Sequence, residues 1–216
     1  MEREANDYAV KDLLTEPLGE EDIEEIRNIL GRDELIVYPT ETLYGLGADL
    51  FSENALEKLL GAKKRPRDMP ISIAVSDLEM MKGLCHVTEL AERIYKSFLP
   101  GPVTILIRAK GNVPSLLTGG GDTIGIRVPD HPVTLGLIKA MGPITATSAN
   151  IHDGATPWNC ETAAEQLKDS VALYLDGGIT KFQAPSTVVD AAGTSAKVIR
   201  TGVISEEELH SALNQE

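Results

Sequence analysis

A chain of 216 residues can bury one large core or two small ones, and 42% hydrophobic with 25% charged residues is the balance of a globular protein. Its 20 basic against 33 acidic residues leave a formal charge of −13, which argues against a generally basic surface for nucleic acid or anionic membrane. Any anion site is then a local basic pocket within an acidic shell. Cys85 and Cys160 make no metal spacing and no disulfide framework, which fits a reducing compartment. No apolar run approaches membrane length, and Met1-Glu-Arg-Glu does not read as a signal peptide, so a cytoplasmic location is expected.

In chain order, residues 1–19 are polar without a clear period and are predicted to be a loose lead-in, with a single domain over 20–216. Ile23, Ile26, Ile29 and Leu30 mark one helical face that Gly31 can end. Leu35 to Tyr38 form a strand closed by Pro39, followed by a hydroxyl-rich segment, Thr40-Glu-Thr-Leu-Tyr44, bounded by Gly45 and Gly47. That segment is expected to place polar groups at the carboxyl end of a sheet, a usual ligand position in open α/β folds. Ser52 can cap the next helix, with Ala55, Leu56, Leu59 and Leu60 inward. Ile71, Ile73 and Val75 alternate as a strand, so Ser72 and Ala74 share its other face. Ser76 begins a short helix, and a second helix runs to Pro100-Gly-Pro.

Val103 to Arg108 and Thr123 to Val128 read as strands; on the latter Ile124, Ile126 and Val128 face one way, and Arg127 the other, beside Gly125. A helix follows His131-Pro132, then a strand at Ile144 to Thr147, a loop from Ser148 to Thr156, and a helix near Thr162 to Lys168. Val171 to Asp176, Thr187 to Asp190 and Lys197 to Arg200 are the last strands, and Ser205 with Glu208 makes a capping box for the final helix. Helices and strands interleaved without a break predict one α/β domain with a twisted, mixed parallel and antiparallel sheet and flanking helices.

The densest positive charge is Lys63, Lys64, Arg65 and Arg67 around Pro66. A solvated helix end is the bland explanation, yet the run directly precedes a strand in an acidic protein, where concentrated cations suit phosphates. No Walker loop, dinucleotide fingerprint, Gly-x-Ser-x-Gly or His-Glu-x-x-His is present. Ser148-Ala-Asn150, Ser186-Thr187 and Arg200-Thr-Gly202 instead put small polar or cationic residues at strand ends, each a weak signal alone. Arg127, opposite an apolar strand face, is expected to need an anion.

Taken in order, Pro39-Thr-Glu-Thr-Leu-Tyr-Gly-Leu-Gly47, Lys63-Lys-Arg-Pro66, Pro100-Gly-Pro-Val-Thr104, Thr123-Ile-Gly-Ile-Arg-Val-Pro129, Ser148-Ala-Asn150, Ser186-Thr-Val-Val-Asp190 and Arg200-Thr-Gly202 are specific. With them the chain resembles the YrdC-like family of threonylcarbamoyl-AMP synthases, in the form without a C-terminal extension. The resemblance implies a basic cavity and a nucleotidyltransferase making threonylcarbamoyl-AMP and pyrophosphate from L-threonine, bicarbonate and ATP, with magnesium on the nucleotide. The product would feed the machinery that makes t6A at position 37 of transfer RNA. By the same resemblance Thr42, Arg127 and Ser186 match threonine-binding positions, and Lys63, Arg65, Thr123, Ser148, Asn150, Thr156 and Arg200 match ATP-binding positions. Lys63 and Arg65 would act in catalysis by offsetting the triphosphate's charge, and no protein-held metal is implied. Many members have histidine where Ala74 stands, in touch with the amino acid, and asparagine where Met69 stands. The competing readings are a double-stranded RNA or tRNA-binding module using the same hollow, which the −13 charge disfavours, and a non-catalytic scaffold.

Overall fold

Strand-forming residues with apolar alternation build two sheets, and helices with one apolar face cover them. The computed structural model describes residues 8–14 and 17–213. The first half runs β1 (Ala9–Asp12), α1 (Glu20–Leu30), β2 (Ile36–Tyr38), β3 (Gly45–Gly47), α2 (Glu53–Lys63), β4 (Ile73–Ala74), α3 (Leu78–Leu84), α4 (Glu89–Phe98) and β5 (Val103–Arg108). There follow α5 (Ser115–Thr118), β6 (Thr123–Arg127), α6 (Pro132–Met141), β7 (Ile144–Thr145), β8 (Thr147–Ser148), α7 (Cys160–Leu167), β9 (Leu173–Asp176), β10 (Thr187–Asp190), β11 (Lys197–Arg200) and α8 (Glu206–Leu213). One sheet has the order β1-β9-β2-β3-β8, the other β11-β10-β5-β6-β4-β7. Both are mixed: β2 runs parallel to β9 and antiparallel to β3, while β5 runs parallel to β10 and antiparallel to β6. Among the described residues no helix is long and apolar enough to cross a membrane.

Local chemistry sets the element ends. The Ser52 hydroxyl accepts from the Ala55 amide at the start of α2, and Ser205 and Glu208 bond reciprocally at the start of α8. The short helix after β4 is capped by the Asp77 carboxylate, which accepts from the Met80 amide, so its cap lies one residue beyond the serine expected to begin it.

Three expectations are corrected. Ala9–Asp12 is not a loose lead-in: it pairs in parallel with β9, and the Tyr8 ring lies 4.8 Å from that of Tyr174. Gly45 and Gly47, expected only to bound the turn Thr40–Tyr44, belong to a strand of their own that returns antiparallel to β2. Ile144 to Thr147 is not one strand. It divides at Ala146, whose amide bonds the Ser72 carbonyl at 2.7 Å, and the chain passes there from one sheet to the other. The sheets are tied at this crossing by the Asp49–Ile144 bridge, by the Thr145 hydroxyl, which accepts from the Ala48 amide at 2.9 Å, and by the Tyr38 hydroxyl, which donates to the Thr145 carbonyl at 2.7 Å.

Glycine is a poor strand former, so its presence in β3 needs a reason. A Cβ at Gly45 would stand 2.5 Å from Tyr38 Cζ, closer than real contacts allow. The tyrosine ring lies across β3 and excludes a side chain. Gly45→Ala should therefore lower stability by about 1–3 kcal/mol through overpacking, read as a lower urea midpoint at unchanged slope. Gly61→Ala is the control, since a methyl there meets open space on α2 and should leave the midpoint unchanged or raise it. Equal midpoints for Gly45→Ala and wild type would contradict the packing described.

Candidate active site

The two sheets diverge from their crossing, and the cleft between them is a cavity of about 390 Å³. Its floor is one face of the six-stranded sheet, with Ser72, Gly125, Thr104, Ser186 and Arg200. Its wall is the β2–β3 hairpin with β8, bringing Tyr38, Thr40, Thr42, Tyr44 and Ser148. Gly125 keeps the floor open, since a Cβ there would meet Ser72 Oγ at 2.5 Å. Arg65, Arg127 and Arg200 all line the cavity, and no carboxylate or imidazole does among the described residues. The surroundings thus favour an anion far more than the overall charge suggests.

Each arginine is anchored on one edge. Arg65 Nη2 donates to the Pro70 carbonyl at 2.8 Å, and Arg200 Nη2 donates to the Ser186 carbonyl at 2.9 Å. Burial lowers the pKa of both; Arg65 is lowered further by Arg200, and Arg200 by Arg127, which marks how close these cations stand. Arg127 is 8% exposed. Its Nη1 donates to Thr42 Oγ1 at 2.9 Å and its Nη2 to Glu41 Oε1 at 2.7 Å, while its buried Nε has no partner. The anion that the sequence analysis requires for Arg127 is therefore already present as Glu41. Thr40 Oγ1 donates to the Leu43 carbonyl at 2.6 Å, so its contact with Thr42 Oγ1 at 2.9 Å uses the Thr42 proton. With its proton given to Thr40 and one lone pair taken by Arg127, Thr42 can offer a ligand only an acceptor. Such a group suits an amine or a hydroxyl. Across the floor, Thr104 and Ser186 hydroxyls bond each other at 2.8 Å.

Lys63 is the main revision among the predicted residues. Its side chain does not line the cavity, although the residue is only 1% exposed. The ammonium points into the loop after β8, donating to the carbonyls of Ser148 at 2.5 Å and Asn150 at 2.7 Å and to Asn150 Oδ1 at 3.4 Å. Three acceptors match its three hydrogens, leaving none for a phosphate. Asn150 is likewise engaged, accepting from Ser148 Oγ at 2.5 Å and donating to the Gly154 carbonyl. Within the basic run, Arg65 alone lines the cavity; Lys64 closes α2 in a left-handed conformation, and Arg67 turns outward to pair with Glu57.

The cavity therefore brings together Thr42, Arg65, Arg127, Ser148, Ser186 and Arg200. It does not include Thr123, at the outer end of β6 opposite Arg108, or Thr156, exposed in the loop before α7. Ser72 lines it as alternation predicts, but Ala74 does not. Ala74 is fully buried in a smaller core with Ile36, Tyr38 and Ile144, where β4 passes under the other sheet, and Tyr38 occupies the wall instead. Sequence reasoning missed Glu41, Thr40 and Thr104. Thr104 carried a usable signal, a polar residue alternating with buried Val103 and Ile105.

Residues 28–202 match the Sua5/YciO/YrdC family model, whose description is "Telomere recombination". The chain belongs to this family. It is 39% identical over 184 residues to a putative threonylcarbamoyl-AMP synthase of Mycobacterium tuberculosis, covering 83% of each chain. It is 36% identical over 184 residues to the threonylcarbamoyl-AMP synthase of Pyrococcus abyssi, covering 84% of this chain but 54% of that one. Among solved structures, P. abyssi Sua5 complexed with L-threonine superposes with a TM-score of 0.88 at 33% identity, covering 95% of this chain and 60% of that one. E. coli YciO does so with a TM-score of 0.80 at 28% identity, covering 94% and 97%. The family's fold, a single α/β unit with mixed sheets, is the one described above.

Burial, and secondarily the Arg65 charge, lower the Lys63 pKa to about 7. A lysine whose folded pKa lies below its unfolded value of about 10.4 binds fewer protons folded than unfolded between the two. Stability conferred at this site should therefore rise with pH from about 7 towards 10. Denaturant titrations of wild type and Lys63→Met across that window test it. The wild-type curve should climb relative to the variant's, and parallel curves would contradict the assignment.

Proposed function

We propose that the chain is a threonylcarbamoyl-AMP synthase, acting on L-threonine, bicarbonate and ATP. The observation that carries this reading is the polarity of the cavity. Arg65 and Arg200 line it with no carboxylate partner among the described residues, whereas Arg127 is paired with Glu41 and bonded to Thr42. A triphosphate suits the unpaired cations and a zwitterionic amino acid the neutralised group. Threonine's amine and bicarbonate condense to a carbamate with loss of water. A carbamate oxygen then attacks the α-phosphorus of ATP, and pyrophosphate leaves.

No protein nucleophile is needed for this sequence of steps. The chain's task is to hold like-charged reactants together and to meet the charge that grows on the phosphates, which is positioning and electrostatics. Arg65 and Arg200 do the second with their free edges. Thr42 accepts from the amine, the remaining N–H hydrogens of Arg127 serve the carboxylate, and Ser186 completes the amino-acid end. Ser148 borders the nucleotide, and Lys63 acts by fixing its loop rather than by touching phosphate.

Magnesium does not fit as an ion held by the protein. Among the described residues no carboxylate lines the cavity, and no group of three His, Cys, Asp or Glu side chains is placed to bind a metal. It would arrive on the triphosphate, where it usually keeps several waters. The catalytic unit is taken to run from β1, earlier than residue 20, because that strand extends the five-stranded sheet. The adenylate would be consumed by a transferase acting on transfer RNA.

The reading is tested by pyrophosphate release, which should require ATP, threonine and bicarbonate together. Release that ignores threonine or bicarbonate would reject it. For the nucleotide end, Arg65→Ala should weaken ATP binding about ten- to a hundred-fold, the worth of one charge-assisted contact, with its melting temperature close to wild type. Unchanged affinity in calorimetry would remove Arg65 from the site.

A further inference from the structure

Glu41 lies outside the cavity lining yet touches Arg127, which lines it. It is 3% exposed and uses both carboxylate oxygens: Oε1 accepts from Arg127 Nη2 at 2.7 Å, and Oε2 accepts from the Asp130 amide at 3.1 Å. Its own carbonyl accepts from the Phe182 amide at 2.9 Å, so backbone contacts hold it on two sides. The hairpin turn, the segment from the end of β6 and the segment after β9 thus converge on this one residue. From it a directed chain of hydrogen bonds runs through Arg127 to Thr42, then Thr40, and ends on the Leu43 carbonyl.

We infer that Glu41 is a positioning residue that makes the amino-acid end of the cavity electrically neutral and fixes the Thr42 hydroxyl as an acceptor. The inference deepens the proposed function, on which its kinetic consequence rests. Three arginines line one cavity, and an uncompensated guanidinium at Arg127 would extend the anion site over its full length. Phosphate could then settle where an amino acid should sit. With Glu41 in place, Arg127 is a neutralised ion pair that still has N–H hydrogens to give, directed donors in place of a diffuse cation. The two ends are thereby told apart by charge.

The probe is inorganic phosphate, titrated calorimetrically into the full chain at low salt with no other substrate. Glu41→Gln keeps the shape and removes the charge, so phosphate should bind about ten-fold tighter than to wild type, the worth of one charge-assisted contact. Glu41→Asp keeps the charge and should stay near wild type. Adding Arg127→Gln to Glu41→Gln removes both charges and should return the affinity to the wild-type value, whereas Arg127→Gln alone should weaken phosphate. That pair of variants still decides the matter if Glu41→Gln fails to fold. In steady state, Glu41→Gln should raise the threonine KM about ten-fold or more while moving the ATP KM less than about two-fold. Equal phosphate affinity across the series, or an aspartate that behaves like glutamine, overturns the inference. The titration contains neither threonine nor ATP, so a failed pyrophosphate assay leaves it standing and counts only against the proposed function.

Discussion

Arg127 enters the cleft from β6 with its guanidinium almost out of water, and the carboxylate of Glu41 meets it at 2.7 Å from the hairpin of the other sheet. A charge buried this far is tolerable only when it is paired. The pair therefore does more than add a bond. It fixes how the β2–β3 turn sits over the floor of the six-stranded sheet, and so fixes the width of the cavity between them. Lys63 obeys the same constraint beside β8, in the wall that also holds the hairpin. Its ammonium is met by three oxygens of the loop after β8, which ties the end of α2 to the strand that closes the cleft. Two buried cations, each answered by a different element, hold the walls.

What is left exposed to the cavity then has a definite character. Arg65 and Arg200 are each anchored by a backbone carbonyl and keep free hydrogens for a ligand. The hydroxyls of Thr42, Ser148 and Ser186 have part of their bonding capacity already spent, so each is oriented before a substrate arrives. Preorganised donors of this kind are what a reaction needs when its difficulty lies in bringing anions together. An overall charge of −13 is compatible with this because the cationic groups are gathered in one cleft.

Much of the fold was legible in the sequence because its signals are local. Alternation on Ile124, Ile126 and Val128 correctly turned Arg127 to the other face, and the caps at Ser52 and Ser205 formed as read. The errors are places where a distant group decides. Gly45 and Gly47 look like turn residues, but they pair with β2 and β8 as a strand in which the Tyr38 ring leaves no room for a side chain. Lys63 looks like one more cation of a phosphate-binding run, and only the loop 85–87 residues further on captures it. Ala74 shares a face with Ser72 by alternation, but the second sheet covers that face one step along. Glu41 is an ordinary residue in a polar turn until β6 brings Arg127 beside it. The family resemblance pointed to Thr42, Arg65, Arg127, Ser148, Ser186 and Arg200 in the cavity, but not to a role for Glu41 and not to the inward turn of Lys63.

The account rests on ATP and an amino acid occupying one polarised cavity and joining through bicarbonate. The direct measurement is mass spectrometry of a reaction containing ATP, L-threonine and ¹³C-bicarbonate. It should yield a threonine-dependent adenylate carrying one ¹³C, and no such species with the Arg65→Ala, Arg200→Ala double variant. An adenylate without the label, or none from the wild-type chain, would contradict it.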